Sequence, residues 1–225
     1  MSEKQKITII ENIMNANDGL AEQNRQQLIQ SRLFSINMMA SPGAGKTTII
    51  EKTLQNFANT HRVLVIDGDI ATTLDADRAI AAGANAIQIN TGGDCHLDAI
   101  MVNRALSQVD LADYDLLIIE NVGNLVCPAS FELGTHKKVL IASIPEGDDK
   151  PHKYPGMYRG VDVVVLNKMD LLPYVDFDLD FFSKGLQVLN PDIQILPVSC
   201  RTGEGLEKWF EWLQEEMDLF HQRYP

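Results

Sequence analysis

The chain has 225 residues, 45% of them apolar, and a formal net charge of −12 at pH 7. This composition is typical of a globular domain and argues against a disordered chain. An acidic surface repels nucleic-acid phosphates and anionic lipid, so we expect neither as a partner. We find no secretory signal and no apolar run long enough to cross a bilayer, and therefore expect a cytoplasmic protein.

The first predicted element is an amphipathic helix over residues 7–33. Its apolar residues include Ile10, Ile13, Leu20 and Leu28, which recur at roughly helical spacing. We assign residues 1–32 to an N-terminal helical arm. The arm either packs on its own domain or contributes to a dimer contact.

Residues 33–225 alternate between short apolar runs and helical stretches. The predicted strands are 33–39, 63–66, 86–89, 116–119, 139–142, 163–166 and 193–198, and the predicted helices include 46–56, 97–109 and 206–220. Repeated strand–helix units indicate an α/β fold with a doubly wound, mostly parallel sheet of about seven strands. Ligands of such folds bind at the carboxyl ends of the strands.

Residues 40–48, ASPGAGKTT, predict a phosphate-binding loop because they follow a buried strand and open a helix. Gly43 and Gly45 allow the backbone N–H groups to turn inward, Lys46 would reach the β- and γ-phosphates, and the Thr47 hydroxyl would bind Mg²⁺. Ala40 replaces the first glycine of the usual pattern, so we expect a negative φ there. The predicted nucleotide contacts in this loop are Gly43, Ala44, Gly45, Lys46, Thr47 and Thr48.

Residues 167–170, NKMD, follow another apolar strand and match the guanine-specifying motif of GTPases. Asp170 would accept two hydrogen bonds from the base, which adenine has no paired donors to supply. Asn167 would tie the base to the phosphate loop, and the Lys168 stem would lie along the ring. The sequence therefore predicts a P-loop NTPase that binds GTP.

Residues 198–201, VSCR, follow the last predicted strand and resemble the element that completes a guanine pocket. Ser199, Cys200 and Arg201 are therefore further predicted nucleotide contacts. We interpret Cys200 as a small pocket wall in preference to a metal ligand.

Asp67 and Asp69 follow the second predicted strand and Glu120 follows the fourth, where acidic residues can hold Mg²⁺ directly or through water. The predicted Mg²⁺ ligands are Thr47, Asp75 and Glu120. Gly123 is placed to donate its backbone N–H to the γ-phosphate. No glutamine stands where Ras-like GTPases position the attacking water, so we predict slow turnover, with Asp75 or Asp69 orienting that water. The predicted catalytic set is Lys46, Asp69, Asp75 and Gly123.

Cys95 and His96 are adjacent between a predicted strand and helix, and Cys127 lies just beyond Gly123. Two thiolates and an imidazole form a soft site that suits Zn²⁺ or Ni²⁺. A helix N-terminus at this point would also lower the thiol pKa. The alternative, an inert set of small buried residues, stays open on these residues alone.

Three segments resemble the HypB family, a group of SIMIBI-class P-loop GTPases. They are residues 94–98, DCHLD, residues 120–128, ENVGNLVCP, and residues 146–150, EGDDK. The resemblance implies a metal-binding GTPase that dimerises with GTP and loads nickel during hydrogenase maturation. It implies Cys95, His96 and Cys127 as ligands, HypA as a nickel-binding partner, and the hydrogenase large subunit as an indirect one. The chain has neither the cysteine-rich N-terminal motif nor the histidine-rich tract of some members, so we expect no nickel storage.

Two rival functions are weighed against this one. A urease-type nickel GTPase usually presents a Cys-Pro-His motif, whereas Ala129 follows Cys127 and Pro128 here. A guanine-nucleotide switch that scaffolds partner proteins would bind metal only incidentally. Three ligands are too few to close a four-coordinate site, and either water or a second protomer could complete it. We favour a two-fold dimer in which both protomers contribute their three ligands. The choice between Ni²⁺ and Zn²⁺ stays open.

Overall fold

The computed structural model describes residues 3–69 and 74–225, with side chains described for 13–68 and 78–225. The strands are β1 (Phe34–Ala40), β2 (Val63–Asp69), β3 (Asn85–Asn90), β4 (Leu116–Glu120), β5 (Lys137–Ser143), β6 (Val163–Asn167) and β7 (Gln194–Pro197). The helices are α1 (Glu3–Gln30), α2 (Lys46–Phe57), α3 (Leu74–Ala81), α4 (Ala99–Leu106), α5 (Lys150–Lys153), α6 (Pro155–Arg159), α7 (Leu179–Leu189) and α8 (Leu206–Arg223).

The seven strands form one sheet in the order β3-β2-β4-β1-β5-β6-β7, and every neighbouring pair is parallel. The chain adds β2, β3 and β4 on one side of β1 and then β5, β6 and β7 on the other. This arrangement confirms the predicted doubly wound P-loop fold with its N-terminal helix. The strand order reverses at β1, which is where such sheets open a crevice for ligands.

The core lies on both faces of the sheet. Alternate strand residues pack against α2, α3 and α8 on one face, where Trp209 Nε1 donates a hydrogen bond to Thr53 Oγ1 at 2.8 Å. The other face is covered by α1 and α4 at one end and by α6 and α7 at the other. Strands that are covered on both faces carry apolar residues at consecutive positions, and this is why they could be predicted from the sequence.

The largest difference from the predicted elements concerns the helix expected over residues 97–109. The helix α4 begins only at Ala99, because Asp98 caps it by accepting a hydrogen bond from the Met101 N–H at 2.7 Å, and it ends at Leu106. Cys95 and His96 therefore lie in the loop before this helix. Among the described helices, none has the length and apolar character that a membrane crossing requires.

Candidate functional site

The phosphate loop, residues 41–45, joins the central strand β1 to α2. Gly43 and Gly45 have φ values of 79° and 100°, which L side chains rarely adopt. A Cβ at Gly45 would also lie 2.4 Å from Asn167 Nδ2, so this glycine is required by packing as well as by backbone shape. Ala40 is the last residue of β1 and lacks a positive φ, as expected for a residue that keeps its Cβ.

The residues after β6 are hydrogen-bonded to the phosphate loop. Asn167 Nδ2 donates to the Ala44 carbonyl at 2.9 Å, and Lys168 Nζ donates to the Gly43 carbonyl at 2.6 Å. Lys168 has a φ of 62°, which turns the chain sharply at the end of the strand. The two sequence motifs thus form one structural unit although they lie more than a hundred residues apart.

A pocket of about 340 Å³ lies beside this unit, and Asp170, Cys200 and Arg201 line it together with residues of both motifs. Asp170 Oδ1 accepts a hydrogen bond from Ser199 Oγ at 2.7 Å, which orients its carboxylate. The Cys200 N–H donates to Asn167 Oδ1 at 3.3 Å. Burial raises the pKa of the Cys200 thiol to about 11, so it stays protonated at neutral pH.

A second pocket, of about 460 Å³, lies over the phosphate loop and shares Gly45, Thr48 and Lys168 with the first. The Glu120 carboxylate at the tip of β4 reaches into this region. Its Oε1 atom accepts a hydrogen bond from Thr47 Oγ1 at 2.7 Å and pairs with Lys46 Nζ at 3.2 Å. A hydroxyl and a carboxylate in contact beside a phosphate loop are the oxygen donors that Mg²⁺ prefers, so these residues fit that ion.

Asp67, one of the strand-end acids named from the sequence, lies beside the same pocket. It is opposite Glu120 in the register of β2 and β4, lines the phosphate pocket and is only 1% exposed. The position at a strand tip was visible in the sequence. What the sequence did not reveal is that β2 and β4 are neighbours, which is what brings the two carboxylates together.

Two other predicted acids are described only by their backbone. Asp69 ends β2 and Asp75 lies in the first turn of α3, but their side chains lie outside the described residues. Their predicted roles in Mg²⁺ binding and water positioning stay predictions. Arg78, one turn further along α3, lines the phosphate pocket and pairs with Glu51 at 2.6 Å. No motif in the sequence marks this arginine as part of the site.

The loop after β4, residues 121–124, runs directly along the phosphate loop. The Asn121 and Asn124 N–H groups donate to the carbonyls of Met38 and Ala40 at 3.0 and 2.9 Å, extending the pairing with β1 beyond the sheet. A Cβ at Gly123 would lie 3.3 Å from Pro42 Cα. Gly123 therefore allows the close approach of two loops at the phosphate pocket, which it lines.

Cys95, His96 and Cys127, the thiol cluster, lie together. Their candidate ligand atoms are all within 4.8 Å of one another. The two Sγ atoms are 2.8 Å apart, both cysteines are free thiols, and Cys95 Sγ is 3.8 Å from His96 Nδ1. The His96 ring stacks on Phe131 with a centroid distance of 3.8 Å, which fixes the plane of the imidazole. All three residues are half-buried, so an ion has access from solvent.

The surroundings of Cys127 change the acidity of its thiol. The hydrogen bond with Cys95 and burial raise the pKa of the Cys127 thiol. The predicted effect of a helix N-terminus concerned the loop just before α4 and stays a prediction there. Cys127 lies on the other segment, at the start of a short 3₁₀ turn over residues 127–130.

The metal loop, residues 91–98, rests on the loop after β4. Asn121 Oδ1 accepts a hydrogen bond from the Leu97 N–H at 3.1 Å, and Asn124 Nδ2 donates to the Cys95 carbonyl at 3.4 Å. The Leu97 side chain packs over Gly68 at the tip of β2, where a Cβ would lie 2.7 Å from it. The phosphate pocket and the thiol cluster are thus connected by direct contacts as well as by the chain from Gly123 to Cys127.

Comparison with known proteins identifies the family. A sequence profile described as the CobW/HypB/UreG nucleotide-binding domain matches residues 34–197. The hydrogenase maturation factor HypB of Azotobacter chroococcum mcd 1 is 45% identical over 96% of this chain and 71% of its own length. The chain belongs to the HypB family of hydrogenase maturation factors.

Two proteins from Helicobacter pylori are also similar to this HypB-family chain, one compared by structure and one by sequence. The crystal structure of HypB from Helicobacter pylori in complex with nickel has a TM-score of 0.86 and 37% identity, covering 93% of this chain and 97% of that one. A hydrogenase/urease maturation factor HypB from Helicobacter pylori strain J99 is 38% identical over 95% of this chain and 89% of its own. The family is one of P-loop nucleotide-binding proteins, in agreement with the pocket described above.

Proposed function

We propose that this chain is a GTP-hydrolysing metallochaperone that handles nickel during the maturation of nickel–iron hydrogenase. The observation that carries the proposal is the contact between the thiol cluster and the loop that lines the phosphate pocket, through Asn121 and Asn124. A relative that was crystallised with nickel supports nickel as the cargo. The cytoplasm would be the compartment for such a function.

The nucleotide would be GTP. Asp170, oriented by Ser199, would accept the N1–H and exocyclic amine of guanine, while Asn167 and Lys168 hold the base pocket against the phosphate loop. Lys46 would neutralise charge on the β- and γ-phosphates. Thr47 and Glu120 would hold Mg²⁺, with Asp67 beside them; when bound, this ion supplies charge stabilisation at the transferred phosphoryl group.

The metal would bind to Cys95, His96 and Cys127. Thiolate and imidazole donors suit Ni²⁺ and Zn²⁺ and are poor ligands for Mg²⁺, so the two cation sites should not exchange their ions. Three ligands leave a four-coordinate ion incomplete. We propose that a GTP-dependent homodimer brings two clusters together, and that a HypA-like nickel-binding partner exchanges metal with them before it reaches the hydrogenase large subunit.

Hydrolysis would change the metal site through the loop after β4. When GTP is bound, Gly123 would contact the γ-phosphate; when that group leaves, the loop is free to relax. Asn121 and Asn124 would transmit this movement to Leu97 and Cys95, and the chain itself would transmit it to Cys127. Such coupling is reciprocal, so metal should also change the affinity for GTP relative to GDP.

The decisive experiment measures metal affinity by competition with a chromophoric chelator in the presence of GDP or a non-hydrolysable GTP analogue. We expect the two affinities to differ by about 5- to 150-fold, the usual range for coupled sites. Cys127→Ser should remove the tight site in both states, while GTP hydrolysis continues. Cys200→Ser is the matched control, because it removes a thiol outside the cluster, and its metal affinity without nucleotide should equal that of the wild type. Equal affinities in the two nucleotide states would eliminate the coupling mechanism.

A second candidate function is nickel delivery for urease, which the hydrogenase/urease relative favours. Cys127 and Pro128 are followed by Ala129 instead of the histidine expected of a urease-type GTPase. Restoring nickel enzymes in a host that lacks its own factor distinguishes the two functions. We expect recovery of hydrogenase activity; recovery of urease alone would reverse the assignment.

A further inference from the structure

Two buried asparagines of α1 lie directly against the segments that carry the thiol cluster. Asn17 is 5% exposed and Asn24 is completely buried. Buried amides are costly unless both their oxygen and their nitrogen are hydrogen-bonded. The partners that satisfy these two side chains therefore indicate what they hold in place.

Asn17 bridges the two ligand-bearing segments. Its Oδ1 atom accepts a hydrogen bond from the Ala99 N–H at 2.9 Å, and its Nδ2 donates to the Glu132 carbonyl at 2.9 Å. Ala99 is four residues after Cys95, and Glu132 is five residues after Cys127. One side chain thus uses its acceptor on the first segment and its donor on the second.

Asn24 forms the same bridge two turns further along α1. Its Nδ2 donates to the Ala99 carbonyl at 3.0 Å and to the Leu133 carbonyl at 3.1 Å, and Asn103 Nδ2 donates to its Oδ1 at 2.8 Å. Both backbone groups of Ala99 are therefore fixed by α1. On the other segment, two successive carbonyls are held in the same way.

The close approach of α1 to the second segment is built into its backbone. A Cβ at Gly134, which has a φ of 93°, would lie 2.3 Å from the Ala21 carbonyl of α1. A larger residue at this position would separate the helix from the segment. The two asparagines lie on either side of Ala21 in the sequence, so the contact runs along two turns of the helix.

We propose that α1 is a clamp that sets the distance between the Cys95–His96 loop and the Cys127 segment, and that Asn17 and Asn24 are positioning residues for the metal. This inference rests on the proposed metal function of the cluster. Its physical basis is that metal ligands keep their geometry only when the surrounding residues that orient them are themselves held in place. The helical arm would then be part of the metal site instead of a separate appendage.

The experiment compares Asn17→Ala and Asn24→Ala with the wild-type protein. We expect each variant to lose about 10- to 100-fold in Zn²⁺ and Ni²⁺ affinity, the usual cost of removing a residue that supports metal ligands. Affinity for a GTP analogue should change less than about twofold, because neither asparagine contacts the nucleotide pocket. With Co²⁺ as the probe, the thiolate-to-metal absorption should weaken, since it reports how many sulfurs are bound.

Arg25→Met is the matched control. Arg25 lies on the same helix and donates to the Thr135 carbonyl at 2.6 Å, but Thr135 is eight residues beyond Cys127. This variant should loosen the helix without changing metal affinity by more than about twofold. If Arg25→Met weakens metal binding as much as Asn17→Ala does, general helix packing explains the effect and the clamp is refuted. Asn17, which is at the margin of the buried contact, carries the test if Asn24→Ala does not fold.

The controls also separate this inference from the proposed function. If the wild type binds metal no better than Cys127→Ser, the metal function itself fails. If the wild type binds tightly and Asn17→Ala binds equally tightly, the metal function stands and only the clamp is overturned.

Discussion

The nucleotide pocket and the thiol cluster are neighbours, but they are constructed differently. The pocket is formed at the tips of β1, β4 and β6, and its main side chains belong to two continuous motifs that bond directly to each other through Asn167 and Lys168. The cluster lies in loops beyond the strand ends, and its two halves are held by a third element, α1. The sheet fixes the first site, whereas the second depends on α1 and on contacts between loops.

This difference in construction suggests that the nucleotide pocket and the thiol cluster differ in how far their geometry can change. The phosphate loop and the base pocket are anchored on parallel strands, which favours electrostatic stabilisation by prearranged groups. A cluster on loops can change its geometry when one of its supports moves. A chaperone must both bind and release its metal, so a movable site is suited to that task.

The largest effect should come from breaking the unit that forms the nucleotide pocket. Gly45→Ala places a Cβ 2.4 Å from Asn167 Nδ2 at a φ of 100°. We expect GTP affinity to fall at least about 100-fold, or about 3 kcal/mol, in a fluorescence titration. Metal affinity without nucleotide should be unchanged. Gly83→Ala imposes similar backbone strain at a φ of 96° outside both sites and should leave GTP binding intact; a comparable loss in that variant would contradict the steric explanation.

The next effect concerns the base. Asp170→Asn replaces an acceptor for guanine with an amide that presents a donor, and we expect GTP affinity to fall about 30- to 100-fold, or about 2 to 3 kcal/mol. Xanthosine triphosphate, which carries a carbonyl where guanine has an amine, should bind the variant better than the wild type. Competition titrations with both nucleotides measure the exchange of preference. Retained preference for GTP would mean that another residue reads the base.

A smaller effect should appear at the junction between the sites. Asn121→Ala removes the acceptor of the Leu97 N–H, and we expect the ratio of metal affinities in the GTP and GDP states to fall towards one, a change of about 1 to 2 kcal/mol. Asn90→Ala is the matched control, because Asn90 Oδ1 accepts from Gly92 N–H in the same metal loop without touching the loop after β4. An unchanged ratio in Asn121→Ala would assign the coupling to the Asn124 contact with Cys95 or to the chain between Gly123 and Cys127.

The last prediction, no larger than the one before it, concerns the stability of the whole fold at low pH. Burial between Phe34 and Phe220 lowers the pKa of His136 to about 3. In the unfolded chain this histidine binds a proton below about pH 6.5, whereas in the folded chain it stays neutral down to about pH 3. Its contribution to the free energy of unfolding is therefore fully present above pH 6.5 and is lost as the pH falls towards 3.

His136→Asn keeps an acceptor for the Ser35 N–H, which His136 Nδ1 now accepts at 3.1 Å, but removes the titration. Urea unfolding at pH 7 and pH 5 should show that the variant loses about 1 to 2 kcal/mol less than the wild type between these values. If the free energy of unfolding falls by the same amount in the variant and the wild type, groups other than His136 cause the acid sensitivity. The variant also separates direct effects of acid on the two sites from loss of the fold.

The sequence was most informative where neighbouring residues act together. The phosphate loop, the NKMD motif and the buried strands follow from local rules, because a loop between a strand and a helix or a run of apolar residues is recognisable without knowing its partners. It was less informative about Asp67, whose proximity to Glu120 depends on the strand order, and about Arg78, whose helix was not predicted.

What the sequence determined by itself is therefore the fold class and the positions of the nucleotide-binding motifs, whereas the three soft donor residues were implied as ligands only by the family resemblance. Only the tertiary structure decided that the sulfurs of Cys95 and Cys127 lie 2.8 Å apart and that Asn17 and Asn24 hold their segments. The physical reason is that hydrogen bonds between distant segments leave no periodic trace in the chain. An asparagine looks the same whether it faces water or bridges two buried loops, and only its partners distinguish the two.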